Sequence, residues 1–143
     1  MRVNDIFAIE NGEHIRILLC SEEQCYAVSC HHFRMPFLLS AHEPEAMKPV
    51  STEAYTIFAV DEDISTAQRR ERDRRFALIK PLLGNACIYD KPHRNEIVNQ
   101  IVGEYGVSRR TVLQYLWKYW VYQSKNILLP TGRTSAKARE LTA

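Results

Sequence analysis

The sequence predicts an α+β protein: a small N-terminal antiparallel β domain, then a three-helix helix-turn-helix domain and a basic flexible tail. Short alternating apolar segments come first, and segments with apolar residues every three or four positions follow from Ser65. Residues 1–65 hold four basic and eleven acidic side chains, a net of −7, whereas residues 66–143 hold fifteen basic and six acidic ones, a net of +9. The basic part therefore predicts a polyanionic partner. The predicted domains are 1–62 and 63–129, with the tail at 130–143.

Composition and terminal sequence exclude several classes of protein. The longest apolar runs have four residues, so no membrane span and no membrane partner are predicted. Asp5 and Glu10 fall where a signal peptide needs its apolar stretch. Four cysteines without an export signal favour the reducing cytoplasm over a disulfide scaffold.

The first domain has the patterning of a β meander. Asn11-Gly12 is the dipeptide best suited to a two-residue type I′ hairpin, because both positions tolerate positive φ. Residues 36–50 contain three prolines and two acids, and they are predicted to form a linker. The predicted strands are approximately 3–10, 13–20, 25–30 and 55–60, the last being the candidate to complete the sheet.

The second domain contains three predicted helices. Ser65 is suited to cap the first helix, and Pro81 should end or kink it. The second helix is predicted over Pro92–Tyr105, and the third runs from Arg109 to about Tyr122. The apolar positions of the third helix recur every four residues and are Val112, Leu116 and Trp120.

The connection between the second and third helices is typical of a helix-turn-helix. Gly106 permits a left-handed backbone, Val107 can plug the turn into the core, and Ser108 can cap the third helix. A helix that begins in this way presents polar side chains to base edges in the major groove of DNA. The alternative is an ordinary helical hairpin with solvated arginines.

Specific DNA contacts follow from this prediction. Arg109 and Arg110 can each pair with guanine and Gln114 with adenine, whereas Lys118 is better placed for phosphate. The DNA-binding residues predicted in this domain are Arg94, Ser108, Arg109, Arg110, Thr111, Gln114 and Lys118.

Two further groups have a structural and a functional interpretation. The arginine run between Arg69 and Arg75 could follow the phosphate backbone, but Glu71 and Asp73 interrupt it and favour a solvated helix face. The aromatic residues near the end of the third helix could stack on bases, yet their helical spacing favours the core. These aromatic residues are Trp117, Tyr119, Trp120 and Tyr122.

A group of potential metal ligands has spacing that matches no common zinc-ligand pair. These residues are Cys20, Cys25, Cys30, His31 and His32. Cysteines within apolar strands explain the pattern more simply. Motifs of phosphate-binding loops, zinc helices and nucleophile elbows are missing from the sequence, so no catalytic residue, metal or cofactor is predicted.

A family resemblance rests on three segments between Gln68 and Arg133: RRERDRRFALIKPLL, GVSRRTVLQYLWKYW and NILLPTGR. They resemble the N-terminal DNA-binding region of TnsB-type transposases, relatives of the phage Mu transposase and of DDE integrases. The opening VNDIFAIENGEHIRILL is similar to the β segment that begins those proteins.

The resemblance implies recognition of repeated double-stranded DNA sites at transposon ends by a bacterial cytoplasmic, nucleoid-associated protein. It also implies other transposition proteins as partners and an oligomer assembled on DNA. The family's DDE catalytic domain lies downstream, so we expect no catalysis from a chain that stops at Ala143. Residues 130–143 would be a linker along DNA, with Arg133 and Lys137 suited to phosphate or the minor groove.

Two alternatives to transposon-end recognition stay open at this point. A helix-turn-helix transcriptional regulator would bind a palindromic site as a dimer. A protein-interaction module would dock an acidic partner and show no DNA sequence preference.

Overall fold

A computed structural model describes residues 2–22, 24–39, 47–57, 64–84 and 86–130. The chain divides into two compact units, Met1–Glu53 and Ala54–Ala143. The first contains an antiparallel sheet and the second contains three α-helices, so the predicted α+β class is confirmed. Within the described ranges, no helix is long and apolar enough to cross a lipid bilayer.

The first unit is a five-stranded sheet with the order β4-β3-β2-β1-β5, in which every neighbouring pair is antiparallel. The three central strands follow the predicted meander. The strands are β1 (Ile6–Ala8), β2 (His14–Cys20), β3 (Cys25–Ser29), β4 (Phe37–Leu38) and β5 (Lys48–Val50).

The two outer strands correct the prediction, because both lie in residues 36–50, which were predicted to be a linker. The segment predicted as the closing strand, 55–60, starts at the end of a 3-10 turn, Thr52–Tyr55. Residues 56 and 57 have no regular structure, and residues 58–60 lie outside the described residues. β5 lies at the edge of the sheet and pairs only with β1. Pro49 is tolerated there because an edge strand does not need every backbone N–H for pairing.

The hairpin between β1 and β2 also differs from the prediction. Ala8 pairs with His14, and the Ile9 N–H donates to the Glu13 carbonyl at 3.0 Å, so the loop has three residues. Only Gly12 of this loop has a positive φ, 84°, which excludes a type I′ turn and is typical of a G1 bulge. The Asn11 side chain accepts from the Glu13 N–H at 2.8 Å and stabilises the loop instead.

One face of the sheet forms an apolar core. Ile15, Ile17 and Ala27 are fully buried there, and Met47 packs against them. Cys20 and Cys25 are directly opposed on β2 and β3 and pack against the same core without forming a disulfide. The cysteines of these strands therefore contribute apolar packing.

The loop after β3 is anchored by a buried polar contact. The Ser29 hydroxyl donates to the Glu13 carboxylate and accepts the backbone N–H groups of His31 and His32 at 3.2 and 3.0 Å. The Ser29 hydrogen bond, followed by the charge of Arg34, holds the pKa of Glu13 below its ordinary value. In the described part of the chain, no group of three or more His, Cys, Asp or Glu side chains is arranged to hold a metal ion.

The second unit contains α1 (Thr66–Ile79), α2 (Lys91–Tyr105) and α3 (Arg109–Tyr122). Ser65 caps α1 as predicted, since its side chain accepts from the Gln68 N–H while the Gln68 side chain accepts from the Ser65 N–H, both at 3.1 Å. Pro81 lies in a 3-10 turn directly after α1.

The core of the second unit is built around α3. A row of side chains one turn apart, Val112, Leu116 and Trp120, is buried as predicted, and we call it the buried row. Trp120 packs near Tyr89 with 6.0 Å between ring centroids. Of the other aromatic residues, Tyr119 packs 5.5 Å from Phe76, Tyr122 packs 6.0 Å from Tyr55, and Trp117 is half-buried.

Candidate nucleic-acid interface

A three-residue connection joins α2 to α3. Gly106 follows α2 in the left-handed conformation, φ 67°, and its N–H donates to the Val102 carbonyl at 3.0 Å. Val107 is half-buried and Ser108 caps α3 by accepting from the Thr111 N–H at 3.1 Å. Each of these features was predicted from the sequence, and together they fix the direction in which α3 leaves the turn.

Two of the predicted DNA-binding residues belong to this cap. The hydroxyl groups of Ser108 and Thr111 lie 2.8 Å apart, in addition to the capping bond between the Thr111 N–H and the Ser108 oxygen. Ser108 is exposed and Thr111 is half-buried. Their polar atoms therefore stabilise the start of α3.

Three other predicted residues form one row along α3. Arg110 and Lys118 are exposed and Gln114 is half-buried, and consecutive members are one helical turn apart. This exposed row is offset by two residues from the buried row, which turns a helix by about 200°. The exposed row therefore lies on the side of α3 opposite the core. The helix has three basic residues and no acidic one, so the row lies in a positive field.

Arg109, the first residue of α3, is exposed but held by α2. Its Nη1 donates to Asn99 Oδ1 and its Nη2 donates to Asn95 Oδ1, both at 2.8 Å. The sequence reasoning did not identify the two asparagines. Their spacing of four residues places both on one face of α2, and this spacing is the feature of the sequence that could have identified them.

The position of Arg94 does not favour the predicted DNA contact. Its side chain is 5% exposed, and its Nη1 donates to the carbonyl oxygens of Ile88 and Tyr89 at 3.2 and 3.4 Å. Burial lowers the pKa of its guanidinium, although the charge of Asp90 opposes that effect. Arg94 binds the backbone that precedes α2 and lies inside the unit, so we do not include it in the candidate interface.

The arginine run of α1 is largely engaged within the protein. Arg72 is 3% exposed and donates from Nη1 to Asn126 Oδ1 at 2.7 Å. Arg75 donates to Glu71 Oε1 at 3.0 Å and to the Leu128 carbonyl at 3.2 Å. Hydrogen bonds from Arg74 and Arg75 hold the pKa of Glu71 at about 2. These contacts stabilise the packing of α1 and leave Arg69 half-buried and Arg70 exposed.

Two predicted residues of the tail, Arg133 and Lys137, lie outside the described residues.

Comparison with known proteins finds similarity over the residues that contain the helix connection. A family model described as the TnsB second domain matches residues 72–131, a range that includes α2, the connection and α3. This match supports the TnsB-type N-terminal region predicted from the sequence. Transposon Tn7 transposition protein TnsB of Escherichia coli is 27% identical over 139 residues, which cover 94% of this chain. The chain spans 19% of the length of that TnsB protein.

Proposed function

We propose that this chain recognises double-stranded DNA at transposon ends, as the N-terminal part of a DDE-type transposase, and thereby acts in transposition. One observation carries the proposal: the exposed row of Arg110, Gln114 and Lys118 on the side of α3 opposite the core. The match of this segment to the TnsB second domain supports a transposition-related role.

The chemistry of the exposed row fits recognition in the major groove. A guanidinium can donate two hydrogen bonds to the O6 and N7 atoms of guanine, and a glutamine amide can pair with the N6 and N7 atoms of adenine. Arg110 and Gln114 carry these groups one turn apart. Lys118, a further turn along α3, supplies a point charge for phosphate. In this arrangement α2, the Gly106–Ser108 connection and α3 act as a helix-turn-helix.

In the proposed reaction the chain contributes recognition, and a DDE domain outside these residues performs strand transfer. Repeated sites at a transposon end place several copies side by side on one DNA molecule. Oligomerisation would then depend on DNA, and other transposition proteins would join the complex formed there.

The test is selection of bound duplexes from a random pool by the whole chain at physiological salt. One asymmetric motif, bound by monomers, is the expected result. A palindrome bound by a dimer would replace the proposal with a transcriptional regulator. Absence of enrichment, with only weak salt-sensitive binding, would contradict sequence-specific recognition altogether. The Arg70→Ala variant is a suitable control because it removes an exposed arginine from α1 and should select the same motif.

A further inference from the structure

We propose that Arg109, Asn95 and Asn99 form a single binding site for one phosphate of the DNA backbone. The proposal rests on the proposed function and changes the role expected of Arg109. We call these three residues the amide–guanidinium cluster.

The geometry determines the orientation of both amides. The two terminal nitrogens of Arg109 donate to two separate side-chain oxygens at 2.8 Å, one on Asn95 and one on Asn99. A guanidinium has no acceptor, so the atom facing it must be the amide oxygen. The two amide NH₂ groups are therefore directed away from the guanidinium.

Most of the remaining hydrogen-bonding capacity of the cluster is consequently that of a donor. Each amide oxygen already accepts one bond from Arg109, and the two amide NH₂ groups and three of the five guanidinium N–H groups remain as donors. Within the described residues Arg109 pairs with no carboxylate, so the cluster keeps its positive charge. Arg109 and Asn99 are exposed and Asn95 is half-buried. A cationic cluster of neighbouring donors at the surface suits an anion with several oxygen atoms.

The position of the cluster beside α3 favours a phosphate of the DNA backbone as its ligand. Arg109 directly precedes Arg110, the first member of the exposed row, so the cluster lies at the N-terminal end of α3, about 100° around the helix from that row. Phosphates flank the groove on either side of the bases that a recognition helix reads. A backbone phosphate can therefore reach the cluster while α3 contacts bases.

The same bonds disfavour reading of guanine by Arg109. Bidentate pairing with guanine uses two guanidinium nitrogens in a fixed fork. In Arg109 both terminal nitrogens already donate to asparagine oxygens. Turning this fork toward a base edge would strain or break these bonds, whereas a phosphate beside the cluster can accept from the N–H groups that remain.

The first experiment compares binding of the whole chain to its selected site and to a scrambled duplex. For the Asn95→Ala/Asn99→Ala double variant, we expect affinity for both duplexes to fall by the same factor, about three- to tenfold. The base preference should be unchanged. Arg109→Ala should also weaken both, and should reduce the slope of log K against log salt by about one unit. Gln100→Ala, an exposed amide on the same helix, is the control.

The Asn99→Asp variant tests the site without removing the contact between α2 and Arg109. The new carboxylate would pair with the guanidinium and repel phosphate, so DNA binding should fall further than in Asn99→Ala. Thermal unfolding of each variant checks that the helices still pack. If Asn99→Asp binds DNA as well as the unchanged chain, the phosphate site is wrong.

The remaining outcomes separate the possible failures. If Arg109→Ala relaxes one base position and leaves the scrambled duplex unaffected, Arg109 reads a base and the inference is overturned. If the unchanged chain selects a motif but the asparagine variants bind like it, the inference alone fails. If the unchanged chain selects no motif, the proposed function fails. Titration with inorganic phosphate alone tests whether the cluster binds free phosphate instead of the DNA backbone. The backbone contact would be overturned if free phosphate bound tightly, and if the asparagine variants abolished that binding without weakening DNA binding.

Discussion

The first and third helices of the second unit both carry several basic side chains, but they use them differently. In α1, Arg72 is buried against Asn126, and Arg74 and Arg75 pair with Glu71. In α3, the basic residues are exposed. The arginine-rich helix therefore has less charge available for DNA than its sequence suggests.

The arginines of α1 instead support the end of α3. Arg72 and Arg75 bind Asn126 and the Leu128 carbonyl, both in the 3-10 turn Lys125–Leu128 that follows α3. Arg75 also stacks on Tyr115, with 5.4 Å between its Cζ atom and the ring centroid. The comparison teaches that a basic run in a sequence can stabilise the scaffold while a shorter set of cations stays exposed for the proposed binding surface. Each of the following predictions tests one side of it.

The largest effect is expected from Arg72→Met. The variant removes a charged donor from Asn126 in a site that is 3% exposed, and we expect the free energy of unfolding to fall by roughly 2–3 kcal/mol. Urea denaturation measures this loss. DNA affinity of the folded variant should stay within about twofold, since changes at distant sites act independently. Arg70→Met is the exposed control, and a loss of DNA affinity without loss of stability in Arg72→Met would reverse the comparison.

The opposite behaviour is expected from Arg110→Ala. Its affinity for the selected site should fall by about 1–3 kcal/mol and one base position should become less specific. Its stability should change by less than about 0.5 kcal/mol because the residue is exposed. Repeating the duplex selection with the variant measures the base preference. An equal loss on every duplex would mean that Arg110 contacts phosphate only.

A smaller and less specific effect is expected from Lys118→Ala. Loss of one phosphate contact should lower the slope of log K against log salt by about one unit. The selected motif should not change, because a phosphate contact has no base information. Binding titrations at several salt concentrations provide the slope, and a changed motif would show that Lys118 reads a base.

The helices of the second unit were predictable because their signals are local. Ser65, Gly106 and Ser108 cap or connect helices through atoms within a few residues of each other, and the buried row of α3 repeats with the period of the helix. The outer strands β4 and β5 could not be predicted in this way, because their pairing joins segments that are distant in the sequence. Short edge strands, one of which contains Pro49, have little patterning of their own.

The candidate site also has a part that could be predicted from the sequence and a part that could not. The exposed row followed from helical spacing once the buried row was known. The burial of Arg94 could not be predicted, because it depends on carbonyl groups at the end of the 3-10 turn before α2. The bonds between Arg109 and the two asparagines depend on the packing of α3 against α2, which the sequence does not specify residue by residue.

The smallest effect concerns the ion pairs of α1 at low pH. Arg74 and Arg75 lower the pKa of Glu71 from 4.5 to about 2, so the folded state binds this proton less readily than the unfolded state. The stabilisation is present in full above pH 4.5 and is lost as the pH falls toward 2. Glu71→Gln should therefore be less stable than the unchanged chain near neutral pH, by less than about 1 kcal/mol for a partly exposed pair. That difference should shrink to nothing in acid.

Urea denaturation of both chains between pH 7 and 2 measures the difference. Glu104→Gln, which removes an exposed carboxylate from α2, is the matched control. A difference that stays constant with pH would mean that Glu71 contributes through packing and not through its charge. The arginines of α1 would then be less firmly held than those contacts suggest, and Arg74, which is 54% exposed, would be available to DNA after all.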